Sequence, residues 1–390
     1  MKIGFQIENL DPARGGAETY VHRFAQALLA AGHEVHLIAC GFGSTPAGVF
    51  THHVMRRGIA RWQQEFRFAR AAARAARRSN LDVTVAVGRT LGADVLQPHG
   101  GTLRGSRRQN LLLLRSPALK TLKGTFDWFN PRVRTQLWIE DEQYAANPPP
   151  EVIAISRMVR RDIQEFHKVP EERLHLVYNG IDLTQFNPEA CAARREEARK
   201  VLGLTPAETC FLIVAHNFKL KGVRELIEAA SRLERTKPWR VVVIGRANPQ
   251  PYHAMAERMG CGDRFLFPGA TTDILPAYGA ADVYVQPTWY DPCSLVVLEA
   301  LACGRPVVTT RFNGAGELME DGREGFVLDS PLQADLLTDA MRRLLDPALR
   351  ERMGTAAHET AKQYPIERNF REMMAVFEKA AERKKESAKA

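Results

Sequence analysis

Two carboxylates that stand eight residues apart are the strongest chemical signal in the sequence, in the segment Asp291-Pro-Cys-Ser-Leu-Val-Val-Leu-Glu299. Residues 281–286, just before it, have the apolar character of a buried strand. The apolar run after Ser294 reads as a helix, which Ser294 caps and Gly304 ends. The pattern therefore predicts a loop that carries Asp291, followed by a helix whose second turn carries Glu299.

A helix start of this kind suits a negatively charged ligand. The backbone N–H groups of Ser294, Leu295 and Val296 are predicted to be unpaired there, and the helix dipole also favours negative charge at this end. Glu299 is placed to accept hydrogen bonds from a vicinal diol such as a ribose, and Asp291 from the hydroxyls of a second sugar. These features together suit a nucleotide sugar. The alternative is an ordinary strand-loop-helix unit with surface acids, which the spacing alone does not exclude.

Length and composition indicate an ordinary globular protein. A chain of 390 residues is too long for one compact core, and its 45% hydrophobic and 25% charged residues are typical of globular domains. The residues from Met1 to Ile7 lack the features of a secretory signal, and no apolar run approaches the roughly 18 residues that span a bilayer. We therefore expect a cytoplasmic protein. The six cysteines include no Cys-x-x-Cys pair, so we expect reduced thiols and no zinc site.

Predicted strands and helices alternate along the chain, which is the pattern of parallel sheets covered by helices. A strand at residues 2–7 is followed by Gly15-Gly16 and by a helix that ends at Gly32. Later strands are predicted at residues 34–40, 83–87, 94–97, 152–155, 174–178, 210–214, 240–244, 264–267, 283–286 and 307–310. Later helices are predicted at residues 224–233, 252–259, 332–345 and 367–383.

The predicted fold class is α/β, with two Rossmann-like domains whose parallel sheets face a central cleft. The break between them is predicted at Val169-Pro170, where a proline interrupts a helix. The first domain then covers residues 1–169 and the second residues 170–366. Because doubly wound sheets bind ligands beyond the carboxyl ends of their strands, we expect the ligand in the cleft.

Residues 103–135, the basic segment, combine positive charge with large apolar side chains. Eight basic residues stand there against Asp127 alone, and Leu, Phe and Trp lie between them. This mixture predicts contact with an anionic membrane surface. The alternative is an insertion that packs on its own domain, whereas nucleic acid is disfavoured because no nucleic-acid module surrounds the segment. The basic residues are Arg104, Arg107, Arg108, Arg115, Lys120, Lys123, Arg132 and Arg134.

Several motifs in a fixed order make the sequence similar to the family 4 retaining glycosyltransferases, which have the GT-B fold. Asp291 and Glu299 resemble the acidic Glu-x7-Glu motif of that family, with Asp291 as a shorter first acid. The resemblance implies that residues 367–390 pack back on an acceptor-side first domain and that the second domain binds the donor. The other motifs are Gly15-Gly16-Ala-Glu-Thr, Val177-Tyr-Asn179-Gly180-Ile-Asp182, Lys221-Gly222, Phe265-Leu-Phe-Pro-Gly269 and Gly314-Ala-Gly-Glu317.

The resemblance also implies roles for further residues. Gly15 and Gly16 would approach the donor diphosphate through their backbone, although such a pair is often only a turn. Lys221 would neutralise the diphosphate as the glycosidic bond breaks, unless it is a solvated lysine at a helix start. The family's usual arginine before this lysine is absent, so Lys219 is a substitute and Arg246 a weaker candidate.

His99 completes the predicted site, as a hydrogen-bond partner of the donor sugar at the end of a strand. A lone histidine is more often structural, and only strand position together with family pattern favours the functional role. No Asp-x-Asp pair occurs in the chain, so we expect a metal-independent enzyme without a cofactor. Asp291 as a nucleophile in a two-step route remains the alternative to direct transfer.

Within the family, the sequence is similar to the glucosyltransferases of the lipopolysaccharide core. This resemblance implies retaining transfer of a hexose, glucose from UDP-glucose, to a lipid-linked saccharide. The enzyme would act as a peripheral protein at the inner face of the cytoplasmic membrane. The alternatives are GDP-mannose, UDP-N-acetylglucosamine or ADP-heptose as donor, and an epimerase or hydrolase of sugar nucleotides on the same fold.

Overall fold

The computed structural model describes residues 1–12, 15–114 and 116–387. The chain divides into two compact units. Unit 1 consists of Met1–Tyr178 together with the segment that begins at Glu367, and unit 2 consists of Asn179–Ile366. The two units are described separately below.

Unit 1 is built on a parallel sheet, which has seven strands within the described residues, in the order β5-β3-β1-β6-β7-β8-β9. Its strands, with the separate pair β2 and β4, are β1 (Lys2–Gln6), β2 (Asn9–Leu10), β3 (Glu34–Ala39), β4 (Gly41–Phe42), β5 (Phe50–His53), β6 (Val83–Ala86), β7 (Val95–Leu96), β8 (Glu151–Ala154) and β9 (Leu174–Leu176). Its helices are α1 (Gly16–Ala30), α2 (Arg61–Arg78), α3 (Leu103–Leu112), α4 (Pro117–Phe129), α5 (Pro131–Tyr144), α6 (Arg157–His167) and α14 (Ile366–Ser387).

The core of unit 1 forms because strand and helix faces that are apolar in sequence meet on the sheet. Ile3 and Phe5 of β1 are fully buried, as expected for a central parallel strand covered on both faces. Phe24 from α1 and Phe377 from α14 pack on Phe5, with ring centroids 5.9 and 6.1 Å away. The last helix is therefore part of the first unit's core.

Strand β9 determines where unit 1 ends. The strand predicted at residues 174–178 was assigned to the second domain, but β9 pairs in parallel with β8, with Val152 opposite Leu174. Unit 1 therefore continues to Tyr178, beyond the predicted limit at residue 169. The sequence pattern predicts the strand, but only the tertiary pairing decides which sheet it joins.

Unit 2 contains the second parallel sheet, which has six strands within the described part of the chain, in the order β12-β11-β10-β13-β14-β15. The strands are β10 (Thr209–Val214), β11 (Trp239–Ile244), β12 (Phe265–Gly269), β13 (Val283–Gln286), β14 (Val307–Thr310) and β15 (Gly325–Leu328). The helices are α7 (Pro188–Val201), α8 (Val223–Ala230), α9 (Gln250–Arg258), α10 (Leu275–Ala280), α11 (Leu295–Ala302), α12 (Ala334–Arg343) and α13 (Pro347–Ala361).

A buried carboxylate ties α14 to the sheet of unit 1. Glu151, which is 1% exposed, lies 2.6 Å from Nε2 of His175 and also forms ion pairs with Arg173, Lys379 and Arg383. Burial alone would raise the pKa of the Glu151 carboxyl, but His175, Arg383 and Lys379 outweigh it and lower that pKa. The ionised carboxylate is thus a partner shared by three elements of the unit.

We expect Glu151→Gln to lower the free energy of unfolding at pH 7 by about 2 kcal/mol, because Arg173, Lys379 and Arg383 lose the carboxylate that they share. A lowered pKa in the folded state means that this stabilisation is present above the ordinary carboxyl pKa and is lost as pH falls through the lowered one. Urea unfolding at pH 7 and at pH 3 measures both effects. Glu382→Gln, on the exposed side of α14, is the control. An equal loss at both pH values would contradict the electrostatic account.

Candidate functional site

Asp291 and Lys221, predicted from separate motifs, form an ion pair in unit 2. The Lys221 Nζ lies 2.5 Å from Oδ2 of Asp291, and the amide of Gln286 donates to the same oxygen at 2.8 Å. Their side chains are only 21% and 11% exposed. Lys221, Gln286 and Asp291 are called the Asp291 cluster below. Gln286 was not among the predicted site residues, although its position at the end of β13, five residues before Asp291, was a usable signal.

The loops that carry the cluster are joined by backbone contacts. The loop after β13 binds the loop after β10 through the Trp289 N–H, which donates to the Leu220 carbonyl at 2.9 Å. Gly222 lies where these loops touch, with a φ of +82°. A Cβ atom at this position would come within 2.1 Å of the Pro287 carbonyl oxygen. The glycine that follows Lys221 is therefore required by both its φ and the close approach of the neighbouring loop.

Asn313, which the motif analysis missed, ties the next loop to the start of α11. Its Oδ1 accepts from the N–H of Ala315 at 3.1 Å and from the N–H of Ser294 at 3.3 Å. The prediction of a free N–H at Ser294 is therefore wrong, because Asn313 already uses that donor. An asparagine directly before Gly314-Ala-Gly is typical of a cap, and this was the available signal.

Helix α11 begins at Leu295 as predicted, but the prediction that the Ser294 side chain caps it is wrong, because its hydroxyl donates instead to Oε1 of Gln286 at 3.4 Å. The N–H groups of Leu295 and Val296 have no hydrogen-bond partner among the described residues. Glu299 lies in the second turn, where its Oε2 accepts from the Tyr278 hydroxyl at 2.9 Å. Burial and the Glu299 carboxylate raise the pKa of Tyr278 well above its ordinary value, so the hydroxyl remains a donor that orients Glu299.

Lys219 and Arg246 lie in the loops after β10 and β11, at the same edge of the sheet as the cluster. Both side chains are exposed, and neither forms an ion pair within the described ranges. The two loops approach closely, since a Cβ atom on Gly245 would lie 1.7 Å from the Ala215 carbonyl oxygen. Their roles as donor-binding cations remain predictions.

The predicted residues of unit 1 also lie at the carboxyl edge of their sheet. Gly15 and Gly16 form the start of α1 after β1, and His99 follows β7. The His99 ring packs on Tyr20 with centroids 4.6 Å apart, and its Nε2 is buried without a partner in the described chain. Burial lowers the pKa of His99 to about 4, so near pH 7 the ring is neutral and suited to a hydroxyl rather than to a phosphate.

Three arginines of the basic segment form ion pairs with acids. Arg104 binds both oxygens of Asp141, at 2.9 and 2.7 Å. Arg107 pairs with Asp127, and Arg108 pairs at 2.8 Å with Asp162 and Glu165. Acids from α4, α5 and α6 therefore offset the charge of these three arginines. Their contact with a membrane remains a prediction.

Of the remaining patch residues, Lys120 and Lys123 lie on α4, half-buried, with no ion pair within the part of the chain that the structure describes. Arg115 lies outside the described residues. Across the described ranges, no three His, Cys, Asp or Glu side chains are grouped so that they could hold a metal ion. Metal independence stays a prediction.

Comparison with known families covers most of the chain. A model described as Glycosyltransferase Family 4 matches residues 14–185, and a model described as Glycosyl transferases group 1 matches residues 194–360. The chain belongs to the family 4 glycosyltransferases. The family 4 match covers the loop with Gly15 and Gly16, and the group 1 match covers the Asp291 cluster and Glu299.

Individual proteins of known sequence also match this family 4 chain. It is 32% identical over 196 residues to the D-inositol 3-phosphate glycosyltransferase of Mycobacterium sp. (strain KMS), covering 48% of this chain and 43% of the relative. The chain spans about half the length of the curated relatives it matches.

Among solved structures, WaaG, a glycosyltransferase involved in lipopolysaccharide biosynthesis, matches with a TM-score of 0.81 at 21% identity, over 97% of this chain and 98% of WaaG. HepE of Anabaena, solved in complex with UDP and glucose, matches with a TM-score of 0.73 at 18% identity, over 97% and 99%. At these identities the matches show the fold. They confirm the GT-B class of two Rossmann-like domains with parallel sheets.

We expect Gly222→Ala to lower the free energy of unfolding by about 3 kcal/mol, because both the positive φ and the contact with Pro287 become unfavourable. Gly203→Ala is the matched control: Gly203 has a φ of +64° but open space around its Cβ position. We expect a loss of only about 1 kcal/mol there. Urea unfolding of both variants makes the comparison. Equal losses would show that the loop contact at Gly222 does not matter.

Proposed function

We propose that the protein is a retaining hexosyltransferase that uses UDP-glucose as its donor. The observation that carries this proposal is the Asp291 cluster beside the unpaired N–H groups of Leu295 and Val296. A cation and a helix N-terminus at one edge of a sheet form a site for a diphosphate. Glu299, held by Tyr278, supplies the carboxylate for the ribose diol.

In this proposal the diphosphate lies against the start of α11. Its oxygens accept hydrogen bonds from the N–H groups of Leu295 and Val296. The Lys221 ammonium group interacts with both the diphosphate and Asp291. As the bond between the anomeric carbon and the diphosphate breaks, negative charge grows on the leaving oxygen. Lys221 and the helix dipole stabilise that charge more than they stabilise the intact donor, and this difference lowers the barrier.

The state of Asp291 favours direct transfer over a covalent intermediate. Its Oδ2 already accepts from Lys221 and Gln286, which makes the carboxylate a weak nucleophile and a well-oriented acceptor for a sugar hydroxyl. The acceptor hydroxyl then attacks the anomeric carbon on the face that the diphosphate leaves, and a phosphate oxygen takes the proton. The new glycosidic bond therefore keeps the configuration of the donor.

The choice of UDP-glucose draws support from HepE, whose structure holds UDP and glucose. The acceptor is proposed as a lipid-linked saccharide, in line with the role of WaaG in lipopolysaccharide biosynthesis. The inositol phosphate named for the mycobacterial relative is the competing acceptor class. The surface of α4 favours the lipid-linked one.

Helix α4 presents an apolar surface to solvent. None of its residues is buried, and Phe126, Trp128 and Phe129 are 68%, 74% and 74% exposed. Leu122 and Leu119 lie one and two turns before Phe126 on the same helical face and are both 52% exposed. A patch of this kind marks an interaction site, and the lysines at 120 and 123 suit an anionic lipid surface. No helix in the described ranges is long and apolar enough to cross a membrane.

We therefore propose that α4 lies in the interface of an anionic membrane, at the inner face of the cytoplasmic membrane. Because Arg104, Arg107 and Arg108 are already paired, apolar insertion contributes most of the binding and charge contributes less. A lipid-linked acceptor would then be available in the same plane.

Calorimetric titration with UDP-glucose, without added metal, tests the donor assignment. We expect binding that Glu299→Ala weakens at least tenfold, because a charged acceptor of about two hydrogen bonds is lost. Glu196→Ala, on the exposed side of α7, is the control and should bind as the unchanged protein does. Binding of GDP-mannose, UDP-N-acetylglucosamine or ADP-heptose in its place would overturn the choice of donor, and binding of none would overturn the site.

Flotation with vesicles that contain anionic lipid tests the role of α4. Replacing Phe126, Trp128 and Phe129 together by Ser should reduce the bound fraction at least tenfold, because each aromatic side chain loses up to about 2 kcal/mol of burial. The control replaces Leu332 and Leu336, which are 54% and 52% exposed in unit 2, by Ser. If the aromatic variant still binds and salt alone releases the protein, charge rather than insertion is responsible.

A further inference from the structure

Unit 1 contains a cavity of about 370 Å³, called the unit 1 cavity. It opens at the carboxyl ends of β1, β6 and β7, where Ile7, Gly88 and Pro98 line it, and helices α1, α2 and α5 supply further walls. Its size falls within the range of small-molecule sites, roughly 300–1,000 Å³. All of its lining residues belong to unit 1.

Two buried carboxylates in the cavity wall each keep one oxygen without a partner. Glu140 is 5% exposed; its Oε1 accepts from the Leu103 N–H at 2.5 Å. Glu65 is 7% exposed; its Oε1 accepts from Arg132 at 2.8 Å and Gln136 at 3.1 Å. The Oε2 atoms of both glutamates are buried and have no hydrogen-bond partner in the described chain.

Two buried carboxylate oxygens without hydrogen bonds destabilise the folded protein unless a ligand supplies their partners. A buried polar atom without a hydrogen bond costs about 1–3 kcal/mol, and native structures keep few of them. Nε2 of His167 lies 3.8 Å from Glu140 Oε2, which is too far for a hydrogen bond. Each open oxygen accepts hydrogen bonds and, when ionised, donates none. Burial raises the pKa of the Glu140 carboxyl to about 7, so its ionised form, which needs donors as partners, predominates only above that pH.

We propose that the unit 1 cavity binds the hydroxyl-rich end of the acceptor, and that Glu65 and Glu140 select an acceptor group that carries no phosphate. The identification of the ligand as the acceptor rests on the proposed transfer. The binding of a hydroxyl-rich ligand depends on unit 1 alone. Hydroxyl groups of a sugar or cyclitol supply the donors that both Oε2 atoms lack. The two glutamates then act as specificity residues.

The charge of the cavity argues against a phosphorylated ligand. Its lining includes the acids Glu8, Glu18, Glu65 and Glu140, whereas the cation among the described lining residues is Arg89, which is exposed. Glu18 lies in the first turn of α1, where it occupies the end of the helix dipole that would otherwise attract a phosphate. Glu8 pairs with Arg56 and Glu65 pairs with Arg132, so these two neighbouring cations are already engaged by acids of the cavity wall. A phosphomonoester would therefore meet carboxylates and paired cations in the cavity.

Apolar walls complement these acids. Phe68, Val87 and Tyr144 line the cavity, and the Tyr144 ring is fixed by stacking on His167 with centroids 3.9 Å apart. A sugar ring offers C–H faces to such walls and hydroxyls at its rim to the carboxylates. Most ligand sites combine an apolar lining with a few placed polar groups in this way.

Ligand-observed saturation-transfer NMR on the full chain tests the proposal. The probes are myo-inositol, methyl α-D-glucoside and methyl α-D-mannoside, each beside its own phosphate monoester. We expect at least one neutral probe to bind and its phosphate ester to bind at least tenfold more weakly. Glu140→Gln and Glu65→Gln should each weaken the neutral probe about tenfold, because the amide replaces the open acceptor oxygen by a donor.

Glu142→Gln, on the exposed side of α5, is the matched control and should leave binding unchanged. Thermal unfolding of each variant shows whether unit 1 remains folded. Absence of binding by all neutral probes, preference for the phosphate esters, or neutral binding that both glutamine variants leave unchanged would each overturn the proposal.

The outcome is separable from that of the donor titration. If UDP-glucose fails to bind while a neutral probe binds in a manner that depends on Glu140, the proposed transfer fails and the cavity assignment stands. If UDP-glucose binds and no neutral probe does, the cavity assignment alone is overturned.

Discussion

All strands within each sheet run in the same direction, and the functional architecture depends on this constraint. Parallel strands end at one edge, so the loops that follow β10, β11, β13 and β14 are neighbours whatever their distance in sequence. Lys221 and Asp291 are 70 residues apart in the chain and form an ion pair for this reason. The same constraint in unit 1 brings the loops after β1, β6 and β7 around one cavity. Each unit thereby concentrates its chemistry at a single edge, as doubly wound sheets do.

The buried carboxylates discussed above fall into two groups. Some form ion pairs within the protein, and others keep one buried oxygen without a hydrogen-bond partner. Glu151 pairs with Arg173 just before β9 and with Lys379 and Arg383 of α14, and it lies within hydrogen-bond distance of His175 in β9, so it links those elements. The Asp291 cluster is likewise internally paired, which orients Lys221 without a ligand. Glu65 and Glu140 differ, because each leaves one buried oxygen unpaired in the described structure. Since desolvation of an unpaired polar atom is unfavourable, the complete clusters stabilise the fold and the incomplete pair points to a ligand.

The basic segment shows how a charge count from sequence misleads when the acids that pair with it lie elsewhere. Counted alone, residues 103–135 look strongly cationic, yet Asp141, Asp162 and Glu165 reach it from α5 and α6. What remains on the surface of α4 is mainly apolar, with Phe126, Trp128 and Phe129 open to solvent. The physical basis of the proposed membrane contact therefore changes from attraction between charges to burial of aromatic side chains.

By itself the sequence determined the α/β class, most core strands and the start of α11, and it singled out Lys221, Asp291 and Glu299 as candidate site residues. These follow from local period, capping and motif order, which are encoded within a few residues. The edge strands β5 and β15 and the helices α2 to α5, α7, α10 and α13 were not predicted. Only the tertiary structure decided that β9 belongs to unit 1, that Asn313 accepts from the Ser294 N–H, and that Arg104, Arg107 and Arg108 are paired. Each of these is a contact between residues distant in sequence, and no local pattern records which partner a strand, an amide or a charge will meet.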